Sequence, residues 1–79
     1  MRILDEQHDQ AVSRSTILLT RSEAEEFRDS IEAILKGGEG NHAHIPSEDF
    51  QKEITIALYD GTNTSTFNER CQRLIKEDR

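Results

Sequence analysis

The segment "TRSEAEEFRDSIEAILKGG", residues 20–38, constrains the fold most, because it has the complete pattern of an amphipathic helix. Apolar side chains recur at helical spacing on one face: Ala24, Phe27, Ile31, Ile34 and Leu35. Thr20 or Ser22 can cap its start, and an acidic residue three positions later can complete a capping box. Gly37 and Gly38 can adopt the left-handed conformation that ends a helix. We therefore predict a helix that lies on another layer of structure.

Two stretches after this helix have the pattern of β-strands. The run "EITIALYD", residues 53–60, alternates, so every second side chain shares one face of a strand. One face carries Ile54, Ile56 and Leu58, and the other carries Thr55, Ala57 and Tyr59. The preceding "HAHIP", residues 42–46, predicts a short strand whose end or edge position suits its proline. The segment "SEDFQK" connects the two strands.

The chain begins with a weaker pair of strand patterns. "MRILDEQ" predicts a short edge strand around Ile3 and Leu4, and the break "EQHDQ" predicts a turn. "AVSRSTILLT", residues 11–20, predicts a second strand, because it combines apolar residues with β-favouring threonines. These two segments are close enough in sequence to pair as a hairpin.

The end of the chain, "TFNERCQRLIKED", predicts a second amphipathic helix. Its apolar residues fall at positions i, i+4, i+7 and i+8, namely Phe67, Cys71, Leu74 and Ile75. Thr66 and Glu69 have the spacing of a capping box, which predicts the start of the helix.

The order of elements is therefore ββαββα, in a single small α+β domain that spans residues 1–79. Two amphipathic helices need an apolar sheet face to cover. We therefore expect one four-stranded, mostly antiparallel sheet with both helices packed on one face. A chain this short buries only about 60% of the surface that it exposes when unfolded. A second subunit can supplement such a thin core, so we also expect a homodimer.

The charge and the apolar content of the chain exclude several classes of function. The chain has 16 acidic and 10 basic residues, which gives a net charge of −6. This charge argues against nucleic acid as a partner and favours a basic protein. No stretch approaches the roughly 20 apolar residues of a membrane span. The start "MRILDEQHDQ" places acids where a signal peptide needs an apolar run. We therefore expect a cytoplasmic protein that binds no membrane.

The histidine pair in "HAHIP" belongs to the face of its strand that the helices do not cover. If Ala43 and Ile45 join the apolar face, then His42 and His44 point the other way, beside Thr55, Ala57 and Tyr59. Two imidazoles at this spacing can hold one metal ion, with His8 as a third ligand, but a metal site needs three or four converging ligands. We therefore favour solvated or partner-contacting histidines over a metal site.

No residue pattern in the chain indicates catalysis. Cys71 is the only cysteine, so no intrachain disulfide forms, and it falls on the apolar stripe of the last helix, where a buried, inert thiol is the ordinary case. The glycines of "KGGEGN" match neither a phosphate-binding loop nor a dinucleotide fingerprint, and helix termination explains them. We predict a protein that is not an enzyme and has no cofactor.

Acidic residues form a second notable group, along the exposed side of the first predicted helix. They are Glu23, Glu25, Glu26, Asp29 and Glu32. Such a row is commonly a solvated face that keeps a small domain soluble. It can also be a docking surface for a cationic partner, with Tyr59 as an anchor that offers both apolar area and a hydroxyl.

The strings "LLTRSEAEEFRDSIEAIL", "HAH", "EITIALYD" and "FNERCQRLI" together resemble small bacterial immunity proteins of polymorphic toxin systems. The resemblance covers about residues 15 to 77 and leaves out the first hairpin. Only His42 and His44 match a recognisable feature of that family. It implies a compact α+β protein that binds and neutralises a cognate toxin. Many such toxins are basic nucleases, which an acidic inhibitor would meet quickly and block at the phosphate-binding site.

These observations lead to three functional hypotheses. The first is a non-enzymatic protein-binding module, whose partner-binding surface consists of His42, His44, Thr55, Tyr59, Glu25 and Asp29. The second is a metal-binding domain built on the histidine pair. The third is a homodimer of structural role whose open sheet faces meet, and whose assembly weakens in acid as the imidazoles become charged.

Overall fold

The computed structural model describes residues 1–37 and 41–79. Its elements are β1 (Leu4–Asp5), β2 (Gln10–Ala11), α1 (Arg21–Leu35), β3 (His42–Pro46), β4 (Glu53–Ala57) and α2 (Glu69–Glu77). Contacts group the chain into two compact units. We call Leu18–Leu58 the central unit, and Met1–Ile17 with Tyr59–Arg79 the terminal unit.

The α+β class is confirmed, but the prediction of one four-stranded sheet with both helices on one face is wrong. The structure has two separate two-stranded antiparallel sheets, β1–β2 and β3–β4. The first hairpin has strands of only two residues, because the segment after β2 does not continue as a strand. Ser13, Arg14 and Ser15 interrupt its pattern, and the apolar run that follows does not alternate. Each hairpin therefore pairs only within itself over residues 1–37 and 41–79.

The core of the central unit lies where α1 packs on the β3–β4 hairpin, chiefly on β3. Ile34 of α1 is 6% exposed and Ile45 of β3 is 3% exposed. Ile31 and Leu35, which the spacing assigned to the same helical face, are instead 46% and 67% exposed. Of this apolar stripe only Phe27 and Ile34 are half-buried or buried, because a two-stranded hairpin gives α1 a smaller surface to pack on than a wide sheet.

Both ends of α1 have the local structure that the sequence predicts. Thr20 is the N-cap: its hydroxyl accepts the N–H of Glu23, and the Glu23 carboxylate accepts the N–H of Thr20. At the other end Gly37 has a φ of 70° and donates its N–H to the carbonyl of Ile34 at 3.1 Å. The matching prediction for Gly38 falls outside the described residues.

The terminal unit combines the short hairpin with α2. Leu74 and Ile75 are its buried apolar residues, at 7% and 8% exposure. The Nε of Arg2 donates to the backbone carbonyls of both, at 3.1 and 3.2 Å, in the last turns of α2, where helix carbonyls lack part of their intrahelical partners. The Leu74 carbonyl also accepts the N–H of Asp78 at 2.9 Å. The predicted capping box at Thr66 is wrong: Asn68 is the N-cap, and its side chain accepts the N–H of Cys71.

Both helices are short. α1 has 15 residues and α2 has 9. Among residues 1–37 and 41–79, no helix has the length and apolar character that crossing a membrane requires.

Candidate functional site

The β3–β4 hairpin has two chemically different faces, and its register defines them. Ala43 pairs with Ile56 and Ile45 with Ile54 on the face towards α1, whereas His44 pairs with Thr55 on the other. The side chains of the first set are buried or half-buried, and those of the second are exposed. The predicted parity of the hairpin is therefore confirmed. We call His42, His44, Thr55 and Ala57 the histidine face.

On this face, His44 has two polar neighbours from β4. Its Nδ1 forms a 2.9 Å hydrogen bond with the hydroxyl of Thr55 and lies 3.6 Å from a carboxylate oxygen of Glu53. Its ring also meets that of His42 edge to face, with the ring centroids 5.4 Å apart. The hydroxyl can serve as donor to a neutral ring or as acceptor from a charged one, so this hydrogen bond orients the imidazole in either state.

His8, the third ligand that the sequence suggested, and Cys71 both belong to the terminal unit. His8 bonds there to Asp5, with 2.8 Å between ring nitrogen and carboxylate, and Cys71 is half-buried on α2. Within the described parts of the chain, no group of three or more histidine, cysteine, aspartate or glutamate side chains could hold a metal ion.

A second surface of the central unit is an open cleft between the first turns of α1 and the loop that joins β3 to β4. We call it the acidic cleft. Its volume is about 320 Å³, and it is lined by Ser22, Glu23, Glu25, Glu26, Asp29, Pro46, Ser47, Glu48 and Phe50. Two of its carboxylates have basic neighbours on the helix: Glu25 lies 3.3 Å from Arg21, and Asp29 lies 3.0 Å from Arg28. Four of the five acids of α1 that the sequence singled out thus line this cleft, and Glu32 does not.

The loop presents an aromatic side chain that the sequence analysis missed. Phe50 is 79% exposed, and its φ of 58° lies in the left-handed region, which is rare for a bulky residue. Local hydrogen bonds hold this conformation: the Phe50 N–H donates to the carbonyl of Ser47 at 2.9 Å, and Asp49 accepts from the Ser47 hydroxyl at 2.6 Å and the Gln51 N–H at 3.0 Å. These contacts hold the pKa of the Asp49 carboxyl below its usual value, the Ser47 hydroxyl being the main cause.

Glu23 joins the helix to this loop. One of its carboxylate oxygens accepts the Thr20 N–H at 2.9 Å, and the other accepts the Glu48 N–H at 2.8 Å. The Ser22 hydroxyl in turn donates to the Glu48 carboxylate. The Thr20 N–H, followed by the Glu48 N–H, lowers the pKa of the Glu23 carboxyl.

Because the pKa of Glu23 is lower in the folded protein, its carboxylate stabilises the fold above its ordinary pKa. This contribution is lost as the pH falls through the lowered value. We expect Glu23→Gln to be less stable than wild type near pH 7, and the difference to shrink as the pH falls through the lowered pKa of Glu23. Urea denaturation at neutral pH and in acid measures this difference. Glu32→Gln, on the same helix but outside the cleft, is the matched control, and an equal loss there would contradict the role of Glu23.

The predicted partner-binding residues do not lie together in the structure. His42, His44 and Thr55 share the histidine face, whereas α1 lies on the opposite face of the hairpin. Glu25 and Asp29 line the acidic cleft. Tyr59 lies beyond the end of β4 and belongs to the terminal unit.

The central unit thus offers two separate surfaces, the histidine face and the acidic cleft. Comparison of the chain with protein-family models, with curated proteins and with solved structures finds no match.

Proposed function

We propose that this protein is a non-enzymatic binding module that recognises a basic protein partner through the acidic cleft. The observation that carries the proposal is Phe50, whose ring is 79% exposed beside the acids of α1. Binding energy at protein interfaces is concentrated in a few residues, often aromatic ones, that enter the partner. Here Phe50 takes the anchor role that the sequence analysis gave to Tyr59.

The backbone of Phe50 adds to this argument. A left-handed conformation costs a residue with a Cβ roughly 1–2 kcal/mol, and such strained residues cluster at functional sites. The loop hydrogen bonds of Ser47 and Asp49 maintain this geometry before any partner arrives. A preorganised anchor loses little conformational entropy on binding, which favours affinity.

The charge of the chain indicates the kind of partner. A protein with a net charge of −6 attracts basic surfaces and repels acidic ones, which speeds encounter with the former. Within the cleft, Glu25, Glu26 and Asp29 are placed to meet lysine or arginine side chains around the apolar contact of Phe50. A cytoplasmic immunity protein that blocks a basic toxin is one form of this function, and the sequence resemblance favours it.

The test uses affinity capture from the source organism, followed by titration calorimetry with the captured partner. We expect Asp29→Lys and Phe50→Gly each to weaken binding by about 30-fold or more, the effect of losing a residue worth about 2 kcal/mol. Glycine suits the φ of Phe50, so Phe50→Gly should keep or slightly raise the stability of the fold. A loss of binding in Phe50→Gly can therefore be attributed to the missing side chain and not to unfolding.

Two substitutions outside the cleft serve as matched controls. Glu32→Lys makes a comparable charge reversal on α1, and Leu18→Gly removes an apolar side chain that is 89% exposed. Both should bind the partner as wild type does. A partner without excess positive charge, or one that binds the cleft variants and the controls equally, would refute the proposal.

A further inference from the structure

The hairpin leaves backbone groups free on its outer edges, and its hydrogen-bond pattern shows which ones. The ladder is flanked by a bond from the Leu58 N–H to the Asn41 carbonyl at 2.8 Å and one from the Ser47 N–H to the Lys52 carbonyl at 2.9 Å. Hydrogen-bonded and non-hydrogen-bonded pairs alternate along an antiparallel ladder. In this register, Glu53, Thr55 and Ala57 belong to the non-hydrogen-bonded pairs. Their N–H and C=O groups therefore point away from β3.

The two outer edges of the hairpin are not equivalent. On β3 the outward groups come from His42, His44 and Pro46, and a proline has no N–H to donate. On β4 each outward residue offers both a donor and an acceptor. Among the residues that the structure describes, no third strand pairs with β4. An open edge of this kind is a template for another strand.

The side chains beside this edge are also incompletely covered. Ile54 and Ile56 are half-buried, because α1 packs chiefly on β3. A strand added along β4 would bring further apolar side chains against them. The edge thus combines free backbone groups with apolar surface, the two features that strand addition uses.

We propose that two copies of this chain pair through β4, antiparallel about a two-fold axis that passes beside Thr55. Thr55 then faces Thr55 of the second copy, and Glu53 faces Ala57 of the second copy. All of these are outward residues, so each opposed pair exchanges both of its N–H···O=C bonds. The pairing joins two hairpins into one intermolecular sheet and does not depend on the acidic cleft.

The side chains of β4 suit a second copy in this register. Ile54 of each chain lies opposite Ile56 of the other, an apolar β-branched pair on the face where α1 lies. Glu53 meets a small neutral residue, whereas a shift that set Glu53 against its own copy would oppose two like charges. On the histidine face, small Ala57 separates His42 from Glu53 of the second copy by two strand spacings of about 4.8 Å. This arrangement leaves room for the carboxylate to lean towards the imidazole.

Cysteine cross-linking of the full chain tests this register, in a Cys71→Ala background that removes the native thiol. Opposed residues in a hydrogen-bonded pair have Cα atoms about 5.5 Å apart, within the roughly 4.4–6.8 Å of a disulfide. We therefore expect Thr55→Cys to form a covalent dimer on oxidation, at least about tenfold faster than Glu53→Cys alone. In the proposed register, Glu53 lies roughly 13 Å from its own copy.

A mixture of two variants supplies the decisive control. Neither Glu53→Cys nor Ala57→Cys should cross-link alone, but the two mixed together should, because these positions face each other between copies. Sedimentation of the wild-type chain should show a dimer at micromolar concentration. A wild-type monomer at every concentration, or equal cross-linking of Thr55→Cys and Glu53→Cys, would overturn the proposal.

Discussion

Replacing Ile45 with alanine is expected to unfold the central unit. Ile45 is 3% exposed, the lowest value among the buried apolar residues. It belongs to β3, on which α1 packs, and is paired with Ile54 of β4. Truncating a buried isoleucine to alanine costs about 2–5 kcal/mol, because apolar contacts are lost and a cavity remains. At roughly 0.05–0.15 kcal/mol per residue, a unit the length of Leu18–Leu58 has only about 2–6 kcal/mol of stability. One substitution therefore removes most of it.

The matched control is Ile31→Ala, the same chemical change on the surface of α1. Ile31 is 46% exposed, so its truncation should cost less than about 1 kcal/mol. Urea denaturation gives the two free energies of unfolding, and amide exchange shows whether α1, β3 and β4 lose protection together. Equal costs for the two variants would mean that Ile45 is not the centre of this core.

The central unit was largely predictable because its signals are local. The face of each β3 and β4 residue follows from alternation along the strands, and a short connector limits which register the hairpin can take. The start and end of α1 follow from Thr20, Glu23 and Gly37, each of which acts on backbone groups within one helical turn. Alternation therefore placed the histidines on the exposed face correctly, and capping placed the ends of α1.

The arrangement of the sheets was not predictable by the same means. Local pattern identifies a strand but not its partner, since pairing depends on contacts between distant parts of the chain. The consecutive apolar residues Ile17, Leu18 and Leu19 suggested a strand, yet this segment forms none, and these side chains are 51%, 89% and 41% exposed. The predicted four-stranded sheet used this segment as one of its strands and therefore could not form.

Only one wall of the acidic cleft could be predicted from the sequence. Glu25 and Asp29 could be recognised as part of an acidic helix face, but the opposite wall comes from a loop. Its position depends on the hydrogen bond from the Glu48 N–H to Glu23 and on the one from the Ser22 hydroxyl to Glu48. A phenylalanine in the polar segment "SEDFQK" was the available signal for Phe50, because an apolar aromatic in a connector has no evident core to join. The exposure of Phe50 follows from its left-handed backbone conformation, which could not be predicted from the sequence.

In the terminal unit, Leu74→Ala is expected to melt α2. Isolated helices shorter than about 12–15 residues are marginal in water, and α2 has 9 residues, so its stability must come from packing. Leu74 is 7% exposed and supplies much of that packing, and its carbonyl also accepts the Nε hydrogen bond of Arg2. The substitution should cost about 2–5 kcal/mol.

Amide exchange over Glu69–Glu77 measures this effect directly, since protection there should fall towards the rate of an unfolded peptide. Leu18→Ala is the matched control, because Leu18 is 89% exposed and its truncation leaves no cavity. If α2 kept its protection in Leu74→Ala, the N-cap of Asn68 and the bonds from Arg2 would have to hold the helix without its apolar contact. Caps contribute only about 1 kcal/mol each, too little to offset the nucleation cost of so short a helix. The buried leucine is therefore what keeps the end of this chain helical.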